Sequence, residues 1–188
     1  MTKRAYKYRF YPTPEQAELL AQTFGCVRFV YNSILRWRTD AFYQRQEKVG
    51  YVGANARLTE LKKDPELAFL SEVSSVPLQQ CLRHQQTAFK NFFEGRAKYP
   101  VFKSKRHRQS AEFTRSAFKY RDGKLYLAKS KTPLNIRWSR ELPGAGPQVV
   151  DRALPDDGIR FHVALPSIGF HAGQRALPFI CRVHTRVR

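Results

Sequence analysis

The sequence predicts an α+β fold in which a small antiparallel sheet or barrel is interrupted by a block of helices and followed by an irregular tail. Three observations predict it. Lys3 to Tyr11 sets Tyr6, Tyr8 and Phe10 against Lys7 and Arg9, the period of a half-buried strand; Thr13 to Glu94 carries apolar residues at helical spacing; and strand-like alternation returns only after Gly95. A lone strand is unstable, and partners for the first lie only beyond the helices, so the helical block interrupts the sheet. The expected division is 1–12 for the first strand, 13–95 for the helical domain, 96–142 for the strongly basic remainder of the β domain, and 143–188 for the tail.

Each element has its own signal. Thr13-Pro14-Glu15-Gln16 supplies an N-cap, a proline at the first helical position and a capping-box glutamine, and Leu19, Leu20 and Phe24 follow before Gly25, which predicts a stop. Val27, Val30, Tyr31, Ile34, Leu35 and Phe42 then predict a second, basic helix to about Glu47, so that the two form a helix-turn-helix. Lys48 to Gly53, with Tyr51 in it, reads as a loop, and Asn55 as the cap of a short helix that ends before Pro65. A further short turn spans Glu66 to Val73. Ser74 or Ser75 caps the next helix, whose apolar face runs from Leu78 to Phe93 with Gln79 near its start, and Gly95 ends it. Arg96 to Gln109 is a cation-rich loop, Ala111 to Tyr120 a strand, Asp122-Gly123 a two-residue hairpin turn into Lys124 to Leu127, and Leu134 to Trp138 a third strand. Beyond Glu141 the composition shifts: 144–188 has no Lys, Tyr or Asn, and Gly and Pro punctuate it, so no folded role is expected there. A strand at Ile159 to Leu165 is the single exception.

The 188 residues suit one ordinary domain or two small ones, and 42% hydrophobic residues, including 14 Phe and 9 Tyr, are enough to bury a core. The net charge of +19 points to a polyanionic partner, nucleic acid before an anionic membrane. Of that charge, +12 falls between Gly95 and Arg140, among Tyr99, Phe102, Phe113, Phe118, Tyr120, Tyr126 and Trp138. Rings amid cations suit stacking on bases, but the expectation here is that the rings pack the core and that the charge carries the function. Candidate phosphate contacts are Lys3, Arg4, Lys7 and Arg9 on the first strand, Arg28 on the second helix, and Lys103, Lys105, Arg106 and Arg108 in the loop.

No apolar run approaches the roughly 18 residues of a membrane span, and the amino terminus has no signal-peptide core, so a cytoplasmic chain is expected. Cys26, Cys81 and Cys181 are odd in number and far apart, which suits buried free thiols rather than a zinc ribbon or disulfides. Phosphate-loop, dinucleotide and zinc-protease motifs are absent, no small-molecule substrate is implied, and no cofactor is expected. Asp151, Asp156 and Asp157 with His162, His171 and His184 form the one conceivable metal constellation, in a segment without periodic structure to hold it.

Tyr11-Pro12 with Gln16, Leu19-Leu20, Gly25, Arg28-Phe29-Val30-Tyr31-Asn32, then Leu78-Gln79, Ala88, Asn91-Phe92-Phe93, Tyr99-Pro100-Val101-Phe102-Lys103-Ser104-Lys105 and Glu112-Phe113-Thr114 resembles the amino-terminal half of the TnpB (OrfB) insertion-sequence proteins, from about residue 3 to about 142. The resemblance implies an RNA-guided DNA endonuclease family, formerly described as transposases, with a wedge-like β-barrel interrupted by a helical recognition domain. It implies a structured guide RNA and target DNA as partners, and Tyr51, Asn55, Ser75, Gln79 and Thr114 as readers of a short DNA motif. The family's nuclease, with its carboxylate metal site and C-x-x-C zinc ribbon, has no counterpart in this sequence. The expectation is therefore a nucleic-acid-binding fragment that is not itself an enzyme and has no catalytic or metal-binding residues. The alternatives are a stand-alone helix-turn-helix DNA-binding protein, acting as a repressor or transposase accessory, and a metal-dependent nuclease built on the tail His and Asp residues.

Overall fold

A computed structural model describes residues 3–107, 109–138, 159–166 and 180–184 of the chain. The chain forms two compact units, one made of 1–19 and 108–188 and the other of 20–107. Helices and antiparallel strands are both present, in keeping with the mixed fold class.

The first unit is built on β1 (Lys3–Tyr11), which lies between β5 (Asn135–Arg137) and β6 (Ile159–Pro166), antiparallel to both. β6 pairs with β7 (Ile180–His184), and β7 with β2 (Ser110–Thr114), so the sheet runs β2-β7-β6-β1-β5. β2 and β5 are its two ends; among the described residues the sheet is open and no barrel closes. Phe10, completely buried, pairs with Ile136 on one side and Ile159 on the other. Tyr8 is buried too, and its ring meets Trp138 edge-on at 5.0 Å.

Two segments depart from expectation here. The tail, expected to be irregular except for a strand at Ile159 to Leu165, supplies β6 at that place and also the unexpected β7, two of the five strands. Ile159, Phe161, Val163 and Leu165 alternate over seven residues, the period that marks this strand in the sequence. The anticipated Ala111 to Tyr120 strand is broken by a 3-10 turn at Arg115–Ala117, which separates β2 from β3 (Phe118–Arg121). β3 pairs with β4 (Lys124–Leu127) as a separate hairpin, and positive φ at both Asp122 (51°) and Gly123 (74°) gives the turn its primed geometry, as the Asp-Gly pair predicts.

Both units draw on α1 (Pro14–Arg45), a single helix of 32 residues where two were expected. Its start follows the sequence: the Thr13 amide donates to Gln16 Oε1 at 3.1 Å and the Gln16 amide to Thr13 Oγ1 at 3.3 Å, a reciprocal capping box. Its middle does not. Glycine stops a helix by adopting positive φ, and Gly25 does not; among the described glycines only Gly95 and Gly123 do. Leu20, Phe24, Val27, Val30 and Ile34 keep one buried stripe running straight through it. No helix-turn-helix forms at this glycine.

The second unit packs the rest of α1 with α2 (Tyr51–Leu61), a 3-10 turn at Pro65–Leu67, the one-turn α3 (Phe69–Glu72) and α4 (Ser75–Phe93). α2 starts at Gly50, so Tyr51 is its first residue rather than part of a loop, and Asn55 lies inside it rather than capping it. Ser74 caps α4 by accepting from the Val76 amide at 3.4 Å, and Gly95, at φ 71°, ends it. Leu35, Leu70, Leu78 and Leu82 are buried to 2% or less, and Cys26 and Cys81 are buried free thiols among them.

Candidate nucleic-acid interface

The loop between α4 and β2 is the most cation-dense part of the chain, and three contacts within the second unit hold it. Asn32, mid-way along α1, accepts from the Lys103 amide at 2.8 Å and donates its Nδ2 to the Lys103 carbonyl at 2.9 Å. Asparagine is a poor interior helix residue, and here its side chain serves as a two-point clamp on a passing strand of loop. Lys103 Nζ then sits 4.5 Å above the Tyr31 ring. Further back, the Tyr99 hydroxyl meets Thr39 Oγ1 at 2.8 Å. The loop is therefore long but anchored, with Lys105 and Arg106 exposed just beyond the anchor.

Beneath it, Arg38 is buried between α1 and α4. Its guanidinium lies 4.1 Å above Phe89 and donates to Gln85 Oε1 at 3.3 Å and Gln86 Oε1 at 2.9 Å, while Gln85 donates its Nε2 to the Tyr31 carbonyl at 2.9 Å. Burial lowers the Arg38 pKa from its ordinary value and raises that of Tyr31. A guanidinium so enclosed serves the packing of the two helices and is not presented to a phosphate.

The five expected base readers divide between the units. Thr114 ends β2 and shares a 3.0 Å hydrogen bond with Ser116; the other four lie on α2 and α4. Those two helices run antiparallel: Lys62 Nζ, just past α2, donates to Ser75 Oγ at the start of α4 at 2.6 Å, and Arg83 on α4 lies 4.8 Å above the ring of Tyr51 at the start of α2. Tyr51 and Asn55 are four residues apart on one helix, as are Ser75, Gln79 and Arg83 on the other, so two stripes lie side by side. Gln79 falls in the second turn of α4, half-buried. Arg83 and Lys62 belong to this group, and sequence reasoning missed them because only the pairing of the two helices brings them in.

Of the candidate phosphate contacts, Lys3, Arg4, Lys7 and Arg9 lie on β1, where Arg9 pairs with Arg160 and Arg137. Arg28 is partly exposed on α1. Arg108 lies outside the described residues. For the metal constellation, His162 and His184 fall on β6 and β7, while Asp151, Asp156, Asp157 and His171 lie outside the described residues. Among the described residues no group of three His, Cys, Asp or Glu is placed to hold a metal ion, and no helix is long and apolar enough to cross a membrane.

Several known proteins resemble parts of this chain. The family model of the helix-turn-helix domain of IS605-type OrfB proteins matches residues 1–47, the stretch that forms β1 and α1 here. A protein of Streptomyces pristinaespiralis named "Putative RNA-guided DNA endonuclease" is 65% identical over 150 residues, covering 79% of this chain and 37% of that protein. InsQ of Escherichia coli K12, which carries the same description, is 31% identical over 102 residues, 54% of this chain and 25% of its own. The virulence protein VsdF of Salmonella dublin is 35% identical over 111 residues, 54% of this chain and 93% of VsdF. The chain thus spans well under half of the two endonuclease-named relatives and nearly all of the third.

Proposed function

Because the chain belongs to the TnpB (OrfB) family of insertion-sequence proteins, we propose that it is a transposon-associated nucleic-acid-binding protein that engages a structured guide RNA and a target DNA. The observation that carries this reading is the anchored loop: +12 of a net +19 lies between Gly95 and Arg140, where 14 cations face 2 carboxylates in sequence, and the Asn32 clamp on Lys103 holds the loop in place. In this reading Lys3, Arg4, Lys7, Arg9, Arg28, Lys103, Lys105, Arg106 and Arg108 contact phosphates. Tyr51, Asn55, Ser75 and Gln79, with Thr114 from the wedge-like β unit, read bases. Phosphate contacts set affinity and register; the amide of Gln79 supplies the paired donor and acceptor that suit adenine.

The test is salt dependence. If about six cations each neutralise a phosphate, log affinity for a duplex falls with log salt at a slope of roughly −5. Replacing Lys103, Lys105, Arg106 and Arg108 by Ala flattens the slope, whereas an unchanged slope moves the site elsewhere. Structured RNA from the end of the parent element is expected to compete better than random duplex. Equal competition would instead favour a duplex-binding protein, a reading weakened by the absence of a turn at Gly25.

A further inference from the structure

The helical unit carries a ring cluster that its own packing does not consume. Phe89, at the end of the buried face of α4, is covered, but the rings that build outward from it are not. Phe92 lies 5.3 Å from Phe93 and 5.2 Å from Tyr99, and Phe89 lies 6.3 Å from Phe93 in a stacked arrangement, 23° between planes. Phe93 is 68% exposed and Tyr99 is 40% exposed. Beyond the buried Pro100 follow Val101 and Phe102, 77% and 57% exposed. Phe102 is three residues from Tyr99, so it lies within about 11 Å along the chain. Three exposed rings and a valine in a ten-residue stretch cost free energy in water unless something covers them.

The setting says what covers them. Lys98 is exposed within the same stretch and Lys105 and Arg106 just beyond it, and the one acidic residue from Phe93 to Arg106, Glu94, is already paired with Lys90 and Arg96. A hydrophobic protein partner would have to strip those cations of water; a nucleic-acid strand matches both components, with phosphates for the cations and base faces for the rings. A duplex hides its base faces in the stack and offers only phosphates, so rings add nothing to duplex binding. We propose that Phe93, Tyr99 and Phe102 form a stacking platform for unpaired bases of single-stranded RNA. RNA is the strand chosen because single-stranded RNA segments are recognised by splaying bases onto aromatic side chains. The rings are held for this: Tyr99 is pinned by its hydroxyl to Thr39, and the Asn32 clamp fixes the main chain immediately after Phe102. Anchored rings lose little freedom when a base settles on them. The proposal rests on the nucleic-acid reading above and adds which strand form this surface takes.

The experiment measures binding of the full chain to a 12-nucleotide single-stranded uridine RNA, to single-stranded DNA of equivalent sequence, and to a 12-base-pair RNA duplex, at one salt concentration. The Phe93→Ser, Phe102→Ser double variant, changed only at exposed positions, is expected to lose about tenfold or more for the single-stranded RNA, from stacking worth about 1 to 3 kcal/mol per base, and little for the duplex. Phe102→Trp is expected to retain affinity and to show indole quenching with the single strand that the duplex does not produce. The Lys98→Ala, Lys105→Ala, Arg106→Ala variant is expected to weaken both forms alike. Equal losses on single strand and duplex in the ring variant, or no loss on either, would overturn the platform while leaving the phosphate reading intact. Tighter binding of the DNA strand than of RNA would overturn the choice of RNA. Self-association that the ring variant abolishes with RNA affinity unchanged would assign the surface to a second copy instead. Failure of the parent chain to bind any of the three would overturn this proposal and the reading beneath it together.

Discussion

Gln16 shows how much one side chain can join. Its carbonyl oxygen accepts from Thr13 to cap α1, and its Nε2 donates to the Thr132 carbonyl at 3.1 Å, the Thr132 hydroxyl at 2.8 Å and the Pro133 carbonyl at 3.0 Å, all within the first unit. The side chain is 3% exposed, so water cannot replace what is lost. Gln16→Ala is expected to cost about 2 kcal/mol in urea unfolding, the sum of a lost cap and carbonyls left short of a donor. Gln16→Glu keeps an acceptor for Thr13 but has no amide to donate, so it separates the two jobs: stability close to that of Gln16→Ala would place the weight on Thr132 and Pro133. Cys81 is a second residue with a sharp signature. Burial pushes its thiol from 9.0 up to about 12, opposed only by the charge of Lys103. A thiol-specific reagent at pH 8 should therefore leave Cys81 unmodified until the chain is unfolded. Because the folded value lies above the unfolded one, the folded state holds this proton more tightly: its contribution to stability is complete below pH 9 and is lost as pH rises from 9 toward 12. The Cys81→Ala chain is expected to lose stability less steeply over that range, and equal slopes would show that the thiol does not contribute.

At the scale of elements the contrast between two glycines is instructive. A Cβ added at Gly25 would meet nothing within 4 Å, and its backbone is ordinary helix, so Gly25→Ala is expected to stabilise the chain by about 0.5 to 1 kcal/mol. A destabilisation there would mean the helix breaks at residue 25 after all. Gly123 also has open space around it, yet its φ of 74° makes the same change costly, by about 1 kcal/mol. Thermal or urea melts of the two variants should move in opposite directions. These two residues also mark what the sequence made legible. Local signals with a stereochemical mechanism read correctly: the Thr13–Gln16 box, the Ser74 cap, the Gly95 stop and the Asp122-Gly123 turn. What misled was a signal whose meaning depends on its surroundings. Glycine permits a stop without requiring one, and the buried stripe through Leu20, Phe24 and Val27 overrides it. The alternation from Ile159 to Leu165 did mark β6, whereas β7, five residues long, is too short for a period to show. At the candidate site, cation density was visible in the composition of the loop; the Asn32 clamp, and the approach of Arg83 to Tyr51, join residues 71 and 32 positions apart, which no local pattern encodes.

The five-stranded sheet depends on strands that lie on both sides of the helical block in sequence. β6 is flanked on both sides, Val163 pairing with Tyr6 of β1 and Cys181 of β7. A proline there removes a backbone donor in a strand with no open edge, so Val163→Pro is expected to cost about 3 kcal/mol or more in urea unfolding. Unchanged stability would show that the β6 pairings carry none of the fold. The same topology sets an order in time. β1 is complete at Tyr11, yet its earliest partner, β5, is not finished until residue 137, and β6 not until residue 166. At a synthesis rate of about 5 to 20 residues per second, the first strand waits on the order of ten seconds without a mate, while the helices between fold from contacts close in sequence. For that interval the nascent protein carries Lys3, Arg4, Lys7 and Arg9 on an unpaired strand, and the strands made after the helices decide when it is covered.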